Sequence, residues 1–324
     1  MSEIKFLSAI NMALSDAMAE DETVILFGED VAAAGGAFGA SRGLRAQFGE
    51  ERVRDTPIAE AAIAGAAVGA AIGGLRPVVE IMFMDFTTLV MDAMVNQAAK
   101  ARFMFGGQRS VPMVLRTPHG GGLGAGPQHS QCLEAWFAHI PGLKVVCPAD
   151  PVSAYGLLRS AIQDPDPVIF VENKALYGVR MAHEGDLPLL QIGRARIVRA
   201  GRDATVVAYG AAVRTALAAA SVLSGENVEV EVIDLGSIQP WDEATVLASL
   251  ARTHHLVVVH EAVEAFGVGA EICARMADIG FDELDGPIMR VGAPFMPVPF
   301  SKGLEGRYIP DADAVCRAVR HSLQ

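Results

Sequence analysis

The sequence contains no cluster of lysine and arginine side chains. Its 324 residues carry a formal net charge of −12. Nucleic-acid binding requires a basic surface that releases counterions, so we exclude a nucleic-acid partner. Long apolar runs are missing as well: the uncharged segment from residue 61 to residue 75 has 15 residues, fewer than the ~18 expected of a membrane-spanning helix. No membrane association is therefore predicted.

Cysteine is scarce. The four cysteines lie far apart and include no C-x-x-C pair; they are Cys132, Cys147, Cys273 and Cys316. This spacing argues against a zinc knuckle or a disulfide framework and favours a reducing compartment. The N-terminal segment MSEIKFLSAI has no signal-like or arginine-rich pattern. We therefore expect a soluble, cytoplasmic protein.

What the sequence does contain is a repeated alternation of strand and helix patterns. Short apolar runs end in proline, glycine or a charged residue, as in TVILFGED, RPVVEIMF, VPMVLR, LKVVCP and PVIFVE. Helical patterns cover residues 4–18, 59–73, 87–105 and 151–162. Strands that are apolar on both faces and alternate with helices predict a parallel sheet covered by helices.

The second half of the chain repeats this pattern after an interruption. A chain of 324 residues, 51% of them hydrophobic, can form two domains of ordinary size. Periodicity fades between residues 172 and 196, and then strand and helix patterns resume, with helices over residues 241–250 and 311–323. We predict a first domain over residues 1–180, a linker over 181–195 and a smaller α/β domain over 196–324.

Glu60 stands at the start of the predicted helix over residues 59–73. Gly65, Gly69 and Gly73 recur every four residues in this helix and therefore share one face. Each costs roughly 1 kcal/mol relative to alanine, so the pattern indicates close packing at a domain or subunit interface. Taken alone, Glu60 fits a solvated first-turn acid favoured by the helix dipole. The alternative is a carboxylate at the edge of an apolar interface that binds a ligand.

A glycine-rich loop follows the strand pattern VPMVLR. Five of the seven residues from 120 to 126 are glycine, and His119 and His129 flank them. Open α/β sheets bind ligands beyond the carboxyl ends of their strands. The glycines match neither a dinucleotide fingerprint nor a phosphate-binding P-loop. The segment is either a flexible surface loop or a functional one, and His129 is the stronger functional candidate because it precedes a helix start.

The remaining candidate residues fit structural roles from their patterns alone. Met82, Met84 and Phe86 follow a predicted strand, and core packing accounts for them. Asp234 and Glu261 end strands in the second half and are expected to be solvated loop acids. No HExxH motif occurs.

Four segments carry a family resemblance: ERVRDTPIAEAAIAGAAVGAAIGGLRPVVE, GPQHSQCLEAWFAHIPGLKVVCPADP, GLLRSAIQDPDPVIFVENKALYG and VEVEVIDLGSIQPWD. Together they resemble the β subunit of the thiamine-diphosphate-dependent first component of 2-oxo acid dehydrogenase complexes, in order over essentially the whole chain. The resemblance implies an α/β fold. A transketolase-like pyrimidine-binding domain, a parallel sheet covered by helices, would precede a smaller α/β transketolase C-terminal domain.

The resemblance also implies roles for particular residues. Glu60 matches the glutamate that hydrogen-bonds the aminopyrimidine ring of thiamine diphosphate and activates the cofactor to its ylide, which attacks the substrate carbonyl. Met82 and Phe86 match residues that line the aminopyrimidine pocket. His129 matches the active-site histidine, which orients the bound intermediate and assists transfer to a lipoyl group.

Metal ions and partners are implied in the same way. A structural potassium ion would be bound mostly by backbone oxygens of Met113, Ala161, Ile162, Asp164 and Asp166. Enzymes of this type hold the diphosphate and Mg²⁺ with a Gly-Asp-Gly motif, which this chain lacks; EGDL, beginning at Glu184, has only one glycine. We infer that a separate α subunit supplies that half of the site, in an α₂β₂ assembly that acts with a lipoyl-bearing acyltransferase.

The substrate stays open between acetoin, pyruvate and branched-chain 2-oxo acids. The segment MFMDFTTLVMDAMVNQAAKARFMFGGQ looks most like the acetoin-cleaving bacterial branch of the family. Phe295 departs from the family pattern, because many relatives carry an aspartate there. An alternative function is a non-catalytic scaffold or regulatory subunit of the same fold.

Overall fold

The computed structural model describes residues 2–324, which separate into two compact units. Unit 1 comprises the chain up to His119 together with Trp136–Ile192. Unit 2 comprises Gly120–Ala135 together with Gly193–Gln324. The glycine-rich loop therefore belongs to unit 2, although the strand before it belongs to unit 1.

Unit 1 is built on a parallel sheet, as predicted. Its strands are β1 (Ser2–Lys5), β2 (Val24–Gly28), β3 (Val53–Asp55), β4 (Arg76–Glu80), β5 (Val114–His119), β6 (Lys144–Val146), β7 (Val168–Asn173) and β8 (Arg180–His183). In the sheet, β6, β7, β5, β4, β2 and β3 are neighbours in that order, and each pair is parallel. Strands β5 and β7 are buried along their whole length. Their side chains on both faces are therefore shielded from water, which explains the absence of apolar–polar alternation.

Helices follow most of these strands. They are α1 (Phe6–Glu20), α2 (Leu44–Phe48), α3 (Glu60–Ile72), α4 (Ala99–Met104), α5 (Glu134–Ala138) and α6 (Pro151–Gln163). Helix α6 begins where its sequence indicates, because Asp150 and Ser153 form a capping box and Pro151 occupies the first turn. The prediction for residues 4–18 misses a short strand, since Ser2–Lys5 pairs antiparallel with β8 before α1 begins.

The predicted α-helix over residues 87–105 is only partly correct. The structure has a 3₁₀ helix at Met84–Val90 and a π-helix at Asp92–Ala98 before α4 begins. Thr87 Oγ1 donates to the Met84 carbonyl at 2.6 Å, and Thr88 Oγ1 donates to the Asp85 carbonyl at 3.1 Å. These side-chain bonds to carbonyls three residues earlier compete with regular α-helical hydrogen bonding.

Unit 2 contains a smaller sheet. The strands of this unit are β9 (Arg196–Arg199), β10 (Ala204–Ala208), β11 (Val230–Asp234), β12 (Ser237–Gln239), β13 (Leu256–Val263) and β14 (Met289–Ala293), and all of them except β12 belong to the smaller sheet. The order is β14, β13, β10, β11 and β9, with β9 antiparallel at the edge. The helices are α7 (Ala212–Ser224), α8 (Glu243–Thr253), α9 (Val268–Ile279), α10 (Lys302–Tyr308) and α11 (Ala312–Ser322), and a 3₁₀ helix covers Phe281–Glu283.

The glycine face of α3 is open. Helix α3 buries Ile63, Ala64, Ala67 and Val68 on one side. Gly65 and Gly69 are exposed, and a Cβ added to either would meet no described atom within 4 Å. The close approach that these glycines permit is therefore not made to any described residue of this chain.

Two further features bear on the sequence predictions. The four cysteines are free thiols. Across residues 2–324, no helix combines the length and the apolar character that crossing a membrane requires.

Candidate active site

Glu60 is a partly buried carboxylate without a partner. It is the first residue of α3 and only 8% exposed. The interpretation of a fully solvated first-turn acid is therefore wrong. Within residues 2–324 its carboxylate accepts no hydrogen bond and forms no ion pair. A partly buried acceptor of this kind can bind a ligand group that donates a hydrogen bond to it.

Glu29 is a second carboxyl group near Glu60. It directly follows β2, is 8% exposed, and its Oε1 atom has no hydrogen-bond partner among the described residues. Burial raises the pKa of Glu29 above its usual value, and the charges of Glu60 and Asp30 raise it further. Burial and the neighbouring carboxylates therefore favour the protonated form of Glu29. Sequence reasoning missed Glu29, because GED at a strand end looks like a solvated turn.

We expect Glu29→Gln to stabilise the purified chain near neutral pH. An acid whose folded-state pKa is raised loses stability as pH increases from its unfolded-state pKa through its folded-state pKa. The uncharged glutamine removes that loss. Its Tm should exceed the wild-type Tm at about pH 7 and approach it near pH 4, where Glu29 is protonated in both states. Scanning calorimetry at both pH values measures this, with the exposed Glu22→Gln as control. A pH-independent difference would contradict the assignment.

Met82 and Phe86 lie beside α3, in the segment that follows β4. Both are half-buried, whereas Met84 between them is fully buried. The 3₁₀ helix at Met84–Val90 packs against α3. Phe86 contacts Phe83 edge-to-face, with 5.8 Å between ring centroids. Core packing therefore explains Met84, while Met82 and Phe86 retain surface that a ligand could cover.

A buried ion network links β4, β5 and β7. Arg116 Nη1 donates to Glu80 at 2.9 Å, and its Nε and Nη2 atoms donate to Glu172 at 2.7 and 3.0 Å. The Tyr177 hydroxyl also donates to Glu172, at 2.8 Å. Burial raises the pKa of Glu172, and the Arg116 charge opposes that rise. Glu80 is the last residue of β4 and lies two residues before Met82. The network therefore fixes the end of β4, after which the segment with Met82 and Phe86 begins.

A cavity of about 460 Å³ adjoins α3 within unit 1. Its lining includes Phe27, Thr56, Ala62 and Ala66. Thr56 Oγ1 is buried and has no hydrogen-bond partner among residues 2–324. The cavity therefore adds apolar surface next to the exposed glycines of α3.

The two histidines of the glycine-rich region belong to different units. His119 ends β5 in unit 1, is 1% exposed, and its Nε2 atom lies 3.7 Å from Cys147 Sγ. His129 is half-buried in unit 2, and its backbone N–H donates to the Gly126 carbonyl at 3.4 Å. His129 is therefore the histidine with surface available for a ligand. The roles proposed for it stay predictions.

Unit 2 has a cavity of about 330 Å³ that sequence reasoning missed. Ser130, Cys132, Glu261, Phe295 and Tyr308 are among its lining residues. Phe295 is 79% exposed, so the residue that departs from the family pattern places an aromatic ring at this cavity. Burial, with the neighbouring Cys132 and Glu261, raises the pKa of Tyr308 to about 12, which keeps its hydroxyl protonated.

Asp234 and Glu261 correct another expectation. Asp234 is fully buried and pairs with Arg196 Nη2 at 2.6 Å. Glu261 is 9% exposed and accepts from the Gly121 N–H at 2.5 Å. Neither is a solvated loop acid. Both bind groups distant in the chain, which local patterns do not reveal.

The positions implied for potassium lie in unit 1 and are Met113, Ala161, Ile162, Asp164 and Asp166. Arg76 Nη1 donates to the carbonyls of Ile162 and Asp164 at 2.9 and 3.3 Å. Lys144 Nζ contacts both carboxylate oxygens of Asp164, at 2.7 and 2.6 Å. The carboxylate is thus already paired with a cation. Each carbonyl has two lone pairs and keeps room for one more partner, so the carbonyls fit an ion and the carboxylate does not.

The family models for the transketolase pyrimidine binding domain and the transketolase C-terminal domain match residues 2–180 and 193–315. The pyruvate dehydrogenase E1 component subunit beta, mitochondrial, of Drosophila melanogaster is 48% identical over 316 residues, covering 96% of this chain and 87% of that protein. The acetoin:2,6-dichlorophenolindophenol oxidoreductase subunit beta of Bacillus subtilis (strain 168) is 45% identical over 324 residues, covering 96% and 95%. The chain belongs to this family of β subunits.

Membership of the β-subunit family confirms the resemblance and the fold class expected from the sequence. A solved structure described as "Split gene transketolase, inactive beta4 tetramer" has a TM-score of 0.82 at 23% identity and covers 99% of this chain and 98% of its own, which supports the fold alone. The family implies thiamine diphosphate as cofactor and an α subunit as partner. The unpaired Glu60 carboxylate and the half-buried Met82 and Phe86 fit the donor groups and the flat ring of an aminopyrimidine.

Proposed function

We propose that this chain is the catalytic β subunit of a thiamine-diphosphate-dependent oxidoreductase. The enzyme would act on acetoin or a 2-oxo acid and pass the resulting acyl unit to a lipoyl group. The observation that carries the proposal is Glu60: a partly buried carboxylate without a partner, at the start of α3 in a pyrimidine-binding domain. Family membership supports the reaction class.

Glu60 would accept a hydrogen bond from a nitrogen of the aminopyrimidine ring. Thiamine diphosphate, when bound, supplies a nucleophilic thiazolium carbon and an electron sink for the substrate carbon. Because Glu60 is partly buried, its hydrogen bond to the ring would be stronger than in water and would hold a proton at that nitrogen. Met82 and Phe86 would cover the ring and exclude water.

His129 would act on the substrate side. A half-buried imidazole in a loop can donate to an oxygen on which negative charge develops, and it can assist transfer to the lipoyl group.

An α subunit would complete the site. The chain lacks the Gly-Asp-Gly motif that holds the diphosphate and Mg²⁺. Two features of unit 1 support a partner surface: the exposed Gly65 and Gly69, which permit close backbone approach, and the adjoining cavity of about 460 Å³. We propose that the α subunit holds Mg²⁺, that the assembly is α₂β₂, and that a lipoyl-bearing acyltransferase accepts the product.

Three further proposals complete this interpretation. The backbone carbonyls of Met113, Ala161, Ile162, Asp164 and Asp166 would contribute to a potassium site. Residues 1–180 would form the pyrimidine-binding domain and residues 196–324 the C-terminal domain, joined by 181–195. A cytoplasmic location is supported by the four free thiols, while several relatives are mitochondrial proteins.

Calorimetry of the purified chain and of the chain reconstituted with its α subunit tests the proposal. We expect no tight thiamine-diphosphate binding by the chain alone, and saturable binding by the pair in the presence of Mg²⁺. The pair should then turn over acetoin, pyruvate or 3-methyl-2-oxobutanoate. The substrate with the fastest turnover identifies the substrate class of the enzyme. Replacing K⁺ by Na⁺ in the same titrations tests the potassium site. Tight binding by the chain alone would refute the shared site.

A further inference from the structure

Two buried glutamates of unit 2 bind the glycine-rich loop of the same unit through its backbone. The Gly121 N–H donates to Glu261 Oε1 at 2.5 Å. The N–H groups of Gly122 and Gly124 donate to Oε1 and Oε2 of Glu305, each at 2.9 Å. Glu305 is 2% exposed. Both of its carboxylate oxygens are therefore bound by one short stretch of the loop, and we call this arrangement the Glu305 clamp.

The glycines are necessary for this geometry. Gly122 and Gly124 have φ values of 96° and 69°, in the left-handed region that residues with a Cβ rarely adopt. Backbone turned in this way directs successive N–H groups into a concave anion-binding nest. Such nests commonly bind a phosphate or another external anion. In this chain Glu305 is the anion, and the loop in turn offsets the cost of burying its charge.

The clamp continues directly into the turn that carries His129. A Cβ on Gly126 would lie 2.2 Å from a ring carbon of Phe300, so the ring packs closely on the loop backbone. Phe300 and Glu305 come from the same C-terminal segment of unit 2. The Gly126 carbonyl accepts from the His129 N–H at 3.4 Å. Displacement of the clamp would therefore move the His129 backbone.

The other side of the loop is held separately. Glu134 is fully buried and accepts from the Tyr209 hydroxyl at 2.8 Å. Tyr209 stacks on His260, with ring centroids 6.1 Å apart. His129 thus lies between two anchored points, and the Glu305 clamp holds the glycine-rich side, where an unrestrained backbone has the greatest conformational freedom.

We propose that Glu305 is a positioning residue that fixes His129 by holding the backbone of Gly122 and Gly124. The role rests on the proposed function, in which His129 acts on the bound intermediate. A misplacement of about 1 Å can cost roughly 10²-fold in rate. The five glycines of the loop have no side chains of their own that could limit such a shift, and the buried carboxylate of Glu305 supplies a restraint on their backbone.

Amide hydrogen exchange on the purified chain tests the clamp without any activity measurement. Glu305→Gln keeps the side-chain size, but its amide nitrogen presents a donor where one loop N–H needs an acceptor. We expect the amides of Gly122 and Gly124 to exchange at least ~10-fold faster, with the amides of α11 unchanged. Glu271→Gln, an exposed glutamate of α9 in the same unit, is the matched control and should leave both regions unchanged.

Kinetics of the reconstituted complex test the positioning role. We expect Glu305→Gln to lower kcat by roughly 10- to 100-fold, with the half-saturating thiamine-diphosphate concentration within about twofold of wild type. The split is expected because the residues proposed to bind the pyrimidine ring, Glu60, Met82 and Phe86, belong to unit 1, whereas the clamp belongs to unit 2. A merely structural role would instead lower Tm, cofactor affinity and kcat together.

Each outcome decides the proposal. Unchanged exchange in Glu305→Gln would overturn the clamp, and faster exchange with an unchanged kcat would overturn the positioning role. An inactive wild-type complex would refute the proposed function and with it the positioning role, while exchange would still decide the anchoring. Should Glu305→Gln not fold, Glu261→Gln replaces it. Faster exchange confined to the Gly121 amide supports the anchoring by buried carboxylates, and unchanged exchange there overturns it.

Discussion

Replacing Glu60 with glutamine is expected to lower thiamine-dependent turnover of the reconstituted complex by ~10²–10⁴-fold, the range typical of a lost general acid–base contribution. The amide keeps the size of the side chain but does not stabilise a proton on the pyrimidine nitrogen. Since the wild-type carboxylate is partly buried without a hydrogen-bond partner in this chain, the substitution should not lower the Tm of the purified chain. Loss of turnover without loss of stability is the result that identifies a functional acid.

The control for this experiment is Glu243→Gln. Glu243 is also a first-turn helix acid, but it forms a partly exposed ion pair with Arg275. It reproduces the loss of a charge at a helix N-terminus, and its turnover should stay within about twofold of wild type. Turnover of Glu60→Gln within a factor of ten would show that Glu60 is not catalytic. It would favour the alternative of a scaffold or regulatory subunit of the same fold.

The sequence was sufficient to predict the parts of the fold that local patterns determine. Apolar runs without alternation predicted the parallel sheet of unit 1, and they identified β5 and β7, which the structure buries on both faces. The helix after Glu60 was predicted to within one residue at each end, because its glycines and alanines leave no competing pattern. The same reasoning predicted the wrong helix type at Thr87 and Thr88, because their hydroxyls donate hydrogen bonds to nearby carbonyls and favour a 3₁₀ turn.

Charge pairs between distant residues could not be predicted from patterns. Arg116 binds Glu80 and Glu172, which are 36 and 56 positions away, and Glu305 binds Gly122, 183 positions away. In the sequence each of these acids looks like an ordinary surface carboxylate. Their burial follows from strand order and from the path of the C-terminal segment. The resemblance supplied Glu60 and His129, but nothing in it supplied Glu29 or Glu305.

The largest effect on stability is expected from Arg116→Met. Arg116 is 1% exposed, and its two partners Glu80 and Glu172 are 4% and 0% exposed. Methionine fills much of the same volume but leaves two carboxylates buried together without a cation. Removing one partner from a buried ion network typically costs about 3–5 kcal/mol, because an uncompensated charge remains. For a unit of this size we expect a decrease in Tm of roughly 10 °C.

The loss of stability caused by Arg116→Met should increase with pH. This dependence distinguishes the effect of the lost charge from the effect of lost packing. Burial already raises the pKa of Glu172, and Arg116 is the group that opposes the rise. Without Arg116 the pKa rises further, so the folded variant binds more protons than the unfolded chain, and its stability falls as pH increases. Urea unfolding at about pH 5 and about pH 8 should show the larger loss at pH 8. Arg275→Met removes a half-exposed pair and should cost at most ~1 kcal/mol at either pH. An equal, pH-independent loss of stability in both variants would mean that the network stabilises the fold by packing alone. The end of β4 before Met82 would then not depend on the charges of the network.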